Sequence, residues 1–380
     1  MLKVRKAVRI LLLSGGAALL AGAQANKPGP DTIVFTNGDK LAGTFVRSTG
    51  ATVTFKSDVL GDLTIDWSKV KELQSTSKVA VIRKGVKFQR KKTPVDIPIG
   101  TLAMQDQKLQ ITAAPGASAQ SIPITDASVV LDSDAFQKAA NRSPGIFSDW
   151  TGTVTLGATL VEATQKNRTL AGAVSLVRAE PTEDWLNPSY RTSFTYSEAY
   201  GKLTQPGTPA IKTSIFHAAA EQDKYFSSSV FGFGQADFDH NFSQGLDLQQ
   251  TYNGGIGWTT FKTALHELDL KGSMSYIRQQ FLAGPNGVTP SSESLVGSVF
   301  AERYHRKLPR GAVLEQNLSA TPAWNNTKAY SAAFNTLLTI PVYKHLSGST
   351  SVTDTFLNDP PAGFKKNSFQ FTLGLTYTLQ

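Results

Sequence analysis

Along residues 368–380, SFQFTLGLTYTLQ, apolar and polar positions alternate without a miss. Phe369, Phe371, Leu373, Leu375, Tyr377 and Leu379 form one set, and Gln370, Thr372, Gly374, Thr376, Thr378 and Gln380 the other. Period two predicts a strand with two unlike faces. From Trp150 onward the same grammar divides the chain into twelve segments: 150–163, 168–179, 190–200, 211–222, 227–238, 246–260, 265–279, 294–306, 311–321, 328–343, 347–357 and 367–380. Each is near the about nine to eleven residues that a tilted membrane-crossing strand needs. In the first, Val154, Leu156, Ala158 and Leu160 oppose Thr151, Thr153, Thr155, Gly157 and Thr159. In the seventh, Leu268, Leu270, Met274 and Tyr276 oppose Glu267, Asp269, Lys271, Ser273 and Ser275. In the tenth, Tyr330, Phe334, Leu338, Ile340 and Val342 oppose Ser331, Asn335 and Thr339; the fourth and eighth are less regular.

Residues 31 to about 130 follow a different grammar of short β-runs and tight turns, opening on DTIVFTNGDKLAGTFV with Asn37-Gly38 as a hairpin signal. GTFVRSTGATVTF at 43–55 is echoed by GTLAMQDQKLQIT at 100–112, and IDWSKV at 65–70 by ITDASV at 124–129. Either a small β unit is repeated here or β-rich sequence resembles itself by chance; in both cases the region reads as small β-barrels of the SH3 or Sm type. Between the echoes, KVAVIRKGVKFQRKK carries Arg83, Lys84, Lys87, Arg90, Lys91 and Lys92 and no acid. It reads as a contact for an anionic partner, such as lipid head groups, peptidoglycan or another anionic envelope polymer, or else as a solvated strand and linker. SDAFQKAANRSPG at 133–145 predicts a short helix ending before Pro144, at the joint between the two grammars.

Charge and composition narrow the picture. MLKVRKAVRILLLSGGAALLAGAQA has a basic start, an apolar middle and a small-x-small site at Ala23-Gln24-Ala25, the three parts of a secretory signal. Without Lys3, Arg5, Lys6 and Arg9 the formal charge falls from +9 to 9 − 4 = +5, too mild to argue for nucleic acid. Cysteine is absent, which removes thiol chemistry and disulfides, and no apolar run after the N-terminus is long enough for a spanning helix. The predicted organisation is a signal peptide over 1–25, a periplasmic β-rich region over 26–132, a linker with a short helix over 133–149, and an outer-membrane β-barrel over 150–380.

Alternation alone does not separate a soluble sandwich, whose apolar faces meet each other, from a barrel whose apolar face meets lipid. The secretory signal favours the barrel. So do link lengths that alternate between turns such as LPRG and KHL and longer links such as LAGPNGVTPSSES and LNDPPAGFKK; EPTEDWLNP is the exception. Residues 372–379, TLGLTYTL, resemble the closing β-signal read by the outer-membrane assembly machinery, carried here by Gly374, Tyr377 and Leu379, with Gln380 in place of the usual final aromatic. A closing strand pairs with the first and leaves no edge. The stretch SSVFGFGQADFDHNFSQGLDLQQTYNGGIGW at 228–258 resembles the family of salt-induced outer-membrane proteins, domain of unknown function 481. Its Phe231-Gly232-Phe233-Gly234, Asp237, Asp239, Gly245-Leu246-Asp247-Leu248 and Gly254-Gly255-Ile256-Gly257-Trp258 carry the likeness, which covers about 148–380. The resemblance implies an outer-membrane β-barrel and no settled activity.

Catalysis finds little footing. The histidines 217, 240, 266, 305 and 345 show no metal-ligand spacing, and neither a Gly-x-Ser-x-Gly nor a phosphate-cradling glycine loop occurs. Asp237-x-Asp239-His240 reads as a rim cation site or an acid–base pair, against a solvated loop mouth. Trp150, Trp185, Trp258 and Trp324 read as girdle residues or as core. The expectation is an all-β protein, an about twelve-stranded antiparallel transmembrane barrel after the small β units, with no catalytic residues, no cofactor and no metal. Its lumen is narrow, lined by Thr151, Thr153, Thr155, Glu267, Asp269, Lys271 and Asn335. Its function is that of a small-solute conduit or an envelope-stress structural protein. The alternatives are a lipid-modifying hydrolase or acyltransferase of the outer membrane, and a soluble secreted protein that binds carbohydrate or peptidoglycan.

Overall fold

The computed structural model describes residues 30–162, 166–204, 211–283 and 289–379. The signal segment and Gln380 lie outside them. The described residues form two compact units, one of those up to Val81 with Pro98–Ser133, the other of Ile82–Ile97 with those from Asp134 onward.

The first unit contains β1 (Asp31–Phe35), β2 (Lys40–Thr49), β3 (Thr52–Ser57), β4 (Gly61–Asp66), most of β5 (Val70–Arg83), β6 (Ile99–Gln105), β7 (Lys108–Thr112), β8 (Gln120–Pro123) and β9 (Ala127–Asp132). The Asn37-Gly38 turn joins β1 to β2, with Gly38 at φ 93° and the Asn37 side chain accepting from the Asp39 amide at 3.1 Å. The sequence echo is structural. Strands β2, β3 and β4, a 3₁₀ turn at Trp67–Lys69 and β5 recur as β6, β7 and β8, a 3₁₀ turn at Ile124–Asp126 and β9.

The echoes do not form two separate units, however. The sheet runs β4-β3-β2-β1-β5-β6-β7-β8, and β9 returns to pair with β2 and β5. Neither half buries enough apolar surface alone, so Phe55, Trp67 and Leu73 from one and Leu102, Met104 and Ile122 from the other share one core. Buried Asp31 fastens three strands by accepting from the amides of Phe45 at 2.7 Å and Thr76 at 3.0 Å.

The second unit is a closed antiparallel barrel of twelve strands. They are β10 (Trp150–Glu162), β11 (Lys166–Glu180), β12 (Tyr190–Thr204), β13 (Ile211–Tyr225), β14 (Val230–Asn241), β15 (Leu246–Lys262), β16 (His266–Phe281), β17 (Ser291–Lys307), β18 (Val313–Thr321), β19 (Ser331–Tyr343), β20 (Leu346–Leu357) and β21 (Asn367–Leu379). Every strand pairs with the next, and β21 pairs with β10 from Gly152↔Leu379 to Gly157↔Gly374. Both ends of this ring lie at one rim, here the terminal rim; the opposite one is the far rim.

The faces are reversed relative to a soluble protein. Phe369, Phe371, Leu373, Leu375 and Tyr377 stand outward at 50–64% exposure, whereas Thr376 faces the lumen fully buried. Leu156, Leu170, Ile256, Met274 and Phe300 extend the same outward apolar surface around the ring. Each such side chain left in water forgoes roughly 1.5–3 kcal/mol, so this wall calls for an apolar surround.

The long link at 181–189 has a packing role. Trp185 is buried with its ring 5.4 Å from Phe136 and 5.5 Å from Phe88, so it belongs to a small core and not to a girdle. Phe136 comes from helix α1 (Ser133–Asn141), and Phe88 bridges Leu186 in parallel while its carbonyl accepts from the Asn187 amide at 2.9 Å. Trp258 and Trp324 are exposed, near the terminal and far rims respectively.

At the seam, a Cβ on Gly374 would lie 2.6 Å from the Leu156 carbonyl oxygen, beside the equally bare Gly157. Gly374→Leu is expected to block closure, seen as loss of the boiling-dependent mobility shift on SDS gels; an unchanged shift would show that the seam tolerates a side chain.

Candidate functional site: the barrel lumen

Alternation carries the odd-numbered residues of β10 to β20 inward over most of each strand, and the even-numbered ones of β21. The resulting lumen has two unlike halves. On β18 to β21 and β10 to β11 the inward residues are mostly small and hydroxylated. Thr151, Thr153 and Thr155 lie here, with the Thr155 hydroxyl 2.7 Å from that of Thr376 across the seam. Asn335 lies here too and donates to the Thr353 hydroxyl at 2.7 Å.

The other half is charged. Arg191, in register with Asp223, contacts it at 2.6 Å and reaches across to Asp269 at 2.9 Å and Glu267 at 3.2 Å on β16. Arg303 on β17 meets Asp269 at 2.6 Å and Glu221 on β13 at 3.8 Å, and Lys271 meets Glu221 at 2.5 Å. Thr259 donates to Asp269 at 2.7 Å. These contacts join β12 and β13 to β16 and β17 as a chord, passing over β14 and β15.

An aromatic shelf supports the chord. Phe231 and Phe233 point inward from β14, with Arg191 5.0 Å from the first ring centroid and Lys271 5.0 Å from the second. Glycine on β15 makes room, since a Cβ at Gly257 would sit 2.2 Å from the Phe231 ring. The glycine run therefore serves close packing. Burying ions here is tolerable because each is paired, and Arg191 and Lys271 also lie over ring faces.

Of the predicted Asp237-x-Asp239-His240 cluster, the two aspartates share the lumen face and His240 turns away from them. Asp237 is buried in the lumen, accepting from Gln235 at 2.7 Å and Asn253 at 3.4 Å, and Asp239 meets His217 at 2.7 Å. His240 points outward and stacks on Phe216 at 5.6 Å. The carboxylates are largely committed to protein partners. Among the described residues no group of three or more His, Cys, Asp or Glu is arranged to hold a metal.

Near the far rim, the 3₁₀ turn Phe242–Gln244 joining β14 to β15 reaches the opposite wall. Gln244, buried, donates to the carbonyls of Thr355 at 3.0 Å and Lys366 at 2.8 Å, and Asn241 braces it at 2.9 Å. Leu246, Phe281 and Leu357 cluster beside it. The Phe364 ring lies where a Cβ on Gly245, at φ 69°, would fall.

Thr151, Thr153, Thr155, Glu267, Asp269, Lys271 and Asn335 thus all face the lumen, but in two groups. Missed in the sequence were Arg191, Glu221, Asp223, Arg303 and Gln244; inward charges recurring near the terminal ends of four strands were the available signal. Of the basic stretch, Arg90 is ion-paired to Glu183 at 2.8 Å, while Arg83, Lys84, Lys87, Lys91 and Lys92 are exposed. Of the closing residues, Gly374 faces Gly157, Tyr377 stands outward 5.8 Å from the His345 ring, and Leu379 pairs with Gly152.

Residues 154–379 match the family model described as "Protein of unknown function, DUF481". The chain belongs to this family. The match spans the barrel and leaves the first unit outside. Among solved structures, the translocator domain of the autotransporter NalP from Neisseria meningitidis is similar at 12% identity, covering 60% of this chain and 87% of that one, with a TM-score of 0.33. The COG4313 outer membrane channel from Pseudomonas putida F1 is similar at 11% identity, with 63% and 100% covered and a TM-score of 0.34. The β-domain of the Bordetella autotransporter BrkA gives 10%, 61% and 98%, and 0.30. No curated protein matches.

Asp269 is the node between two arginines. Asp269→Ala leaves both facing one another and is expected to cost about 3–5 kcal/mol, read as a lower temperature for conversion of the folded gel band. Asp269→Asn keeps an acceptor for Thr259 and is expected to lose less; equal stability of all three proteins would show that the chord is not a support.

Proposed function

We propose that this chain is an outer-membrane β-barrel, with its terminal rim toward the periplasm, that passes small ions or polar solutes along the hydroxyl-lined half of its lumen without catalysing a reaction. The observation that carries this reading is the division of the lumen. The charged chord occupies one side at fixed geometry, and the facing wall offers small side chains whose hydroxyls replace part of a solute's hydration. Among the described residues no helix is long and apolar enough to cross a membrane, and the strands that would cross it pair with their neighbours in a closed ring.

The chord's charges nearly cancel: Arg191, Lys271, Arg303 and Lys262 face Glu221, Asp223, Glu267 and Asp269. Weak discrimination between cations and anions follows. Gln244 narrows the far mouth. Gly374, Tyr377 and Leu379 serve the assembly machinery, and outer-membrane lipid covers the apolar wall.

Purified protein in planar bilayers is expected to show small unitary conductance, raised in Gln244→Ala, where the bonds to Thr355 and Lys366 are lost. Silence of both proteins at every salt concentration would end the conduit reading and leave a structural barrel of the envelope. A changed lipid profile on deletion would instead point to catalysis.

A further inference from the structure

Near the terminal rim, within the second unit, lies a recess of about 310 Å³. Arg90, Lys91, Arg142, Glu180 and Tyr190 are among its lining residues. Arg90 is held by Glu183 and Arg142 by Asp149, both at 2.8 Å, so two guanidinium groups are fixed in place. The Nε of Arg90 is buried with no acceptor, which is unusual for so strong a donor. The Lys91 amide is tied to the Ala140 carbonyl at 2.8 Å, setting its exposed side chain at the same place.

Beside the recess a short turn projects apolar side chains outward. Ile146 is 71% and Phe147 90% exposed. The turn is fastened to the wall, because Arg178 donates to the carbonyls of Gly145 and Ser148, each at 2.9 Å, and Trp150 donates to that of Ile146 at 2.9 Å. A rigid turn that holds a phenylalanine fully out is costly in water. Against the boundary between head groups and acyl chains it is favourable. Tyr190, 47% exposed, adds an amphipathic ring of the kind found at that boundary.

We propose that this recess binds the phosphate of an anionic phospholipid from the leaflet at the terminal rim, with Ile146 and Phe147 seated among the acyl chains. Arg90, Arg142 and Lys91 line the recess and supply the donors, and guanidinium groups suit a phosphate that accepts along two directions. The inference rests on the membrane-barrel reading above.

The test uses the full chain in detergent, with phosphatidylglycerol or phosphatidylcholine added and bound lipid counted by native mass spectrometry. The expected result is retention of phosphatidylglycerol over phosphatidylcholine. Retention should weaken about fivefold for each cation removed in Lys91→Gln and in Lys91→Gln with Arg142→Gln, and should also fall in Phe147→Ser. Retention unchanged in all three variants overturns the proposal. So does displacement by inorganic phosphate with no effect of Phe147→Ser, which marks a free-anion site, and so does capture of soluble peptidoglycan fragments in place of lipid. The boiling-dependent gel shift of the same samples reports the barrel itself, so its loss would strike the membrane reading and its presence with no lipid bound would strike this site alone.

Discussion

The need to leave no strand edge without a partner is the constraint from which the second unit follows. A strand edge facing hydrocarbon leaves groups that each cost several kcal/mol, and only closure removes the edge. Here closure rests on six paired positions between β10 and β21, and the hydroxyl contact of Thr155 with Thr376 adds to them from within. Gly157 and Gly374 meet at the end of that pairing and allow the strands to approach. The apolar outer face and the polar inner face are then a single consequence of period two.

Closure creates the problem that the lumen solves. Twelve strands enclose more width than side chains of ordinary size fill from one wall, so the interior must be spanned or left wet. On one side it is spanned by ion pairs laid over Phe231 and Phe233, and near the far rim by Gln244. Elsewhere the inward residues are mostly threonine, serine and alanine. The same charges that brace the wall therefore also set the electrostatics of the space beside them.

The wall was legible because its signal is local. Alternation placed the start of β12 at Tyr190 and the inward positions of β10, β16 and β19 without reference to any neighbour. The site was legible only where the signal stayed within one strand, as for Glu267, Asp269 and Lys271. Arg191 with Asp269 is a contact between strands four places apart in the ring, and its existence depends on the stagger of the whole barrel. Trp185 misled because a tryptophan after a strand end looks alike whether it meets lipid or, as here, Phe136 and Phe88. The echo in the first unit was real, yet how two copies share one sheet is a matter of which edges remain free, and no single copy contains that information.

The path of the chain between the two units has a consequence for how they can be cut apart. Residues 82–97 leave the first unit between β5 and β6 and join the packing of the second, so the polypeptide crosses the boundary at three points. A gene shortened to begin at Asp134 would delete Phe88 and Arg90 together with the first unit, taking Phe88 from Trp185 and Phe136 and Arg90 from Glu183. No single cut in the chain separates the two units intact.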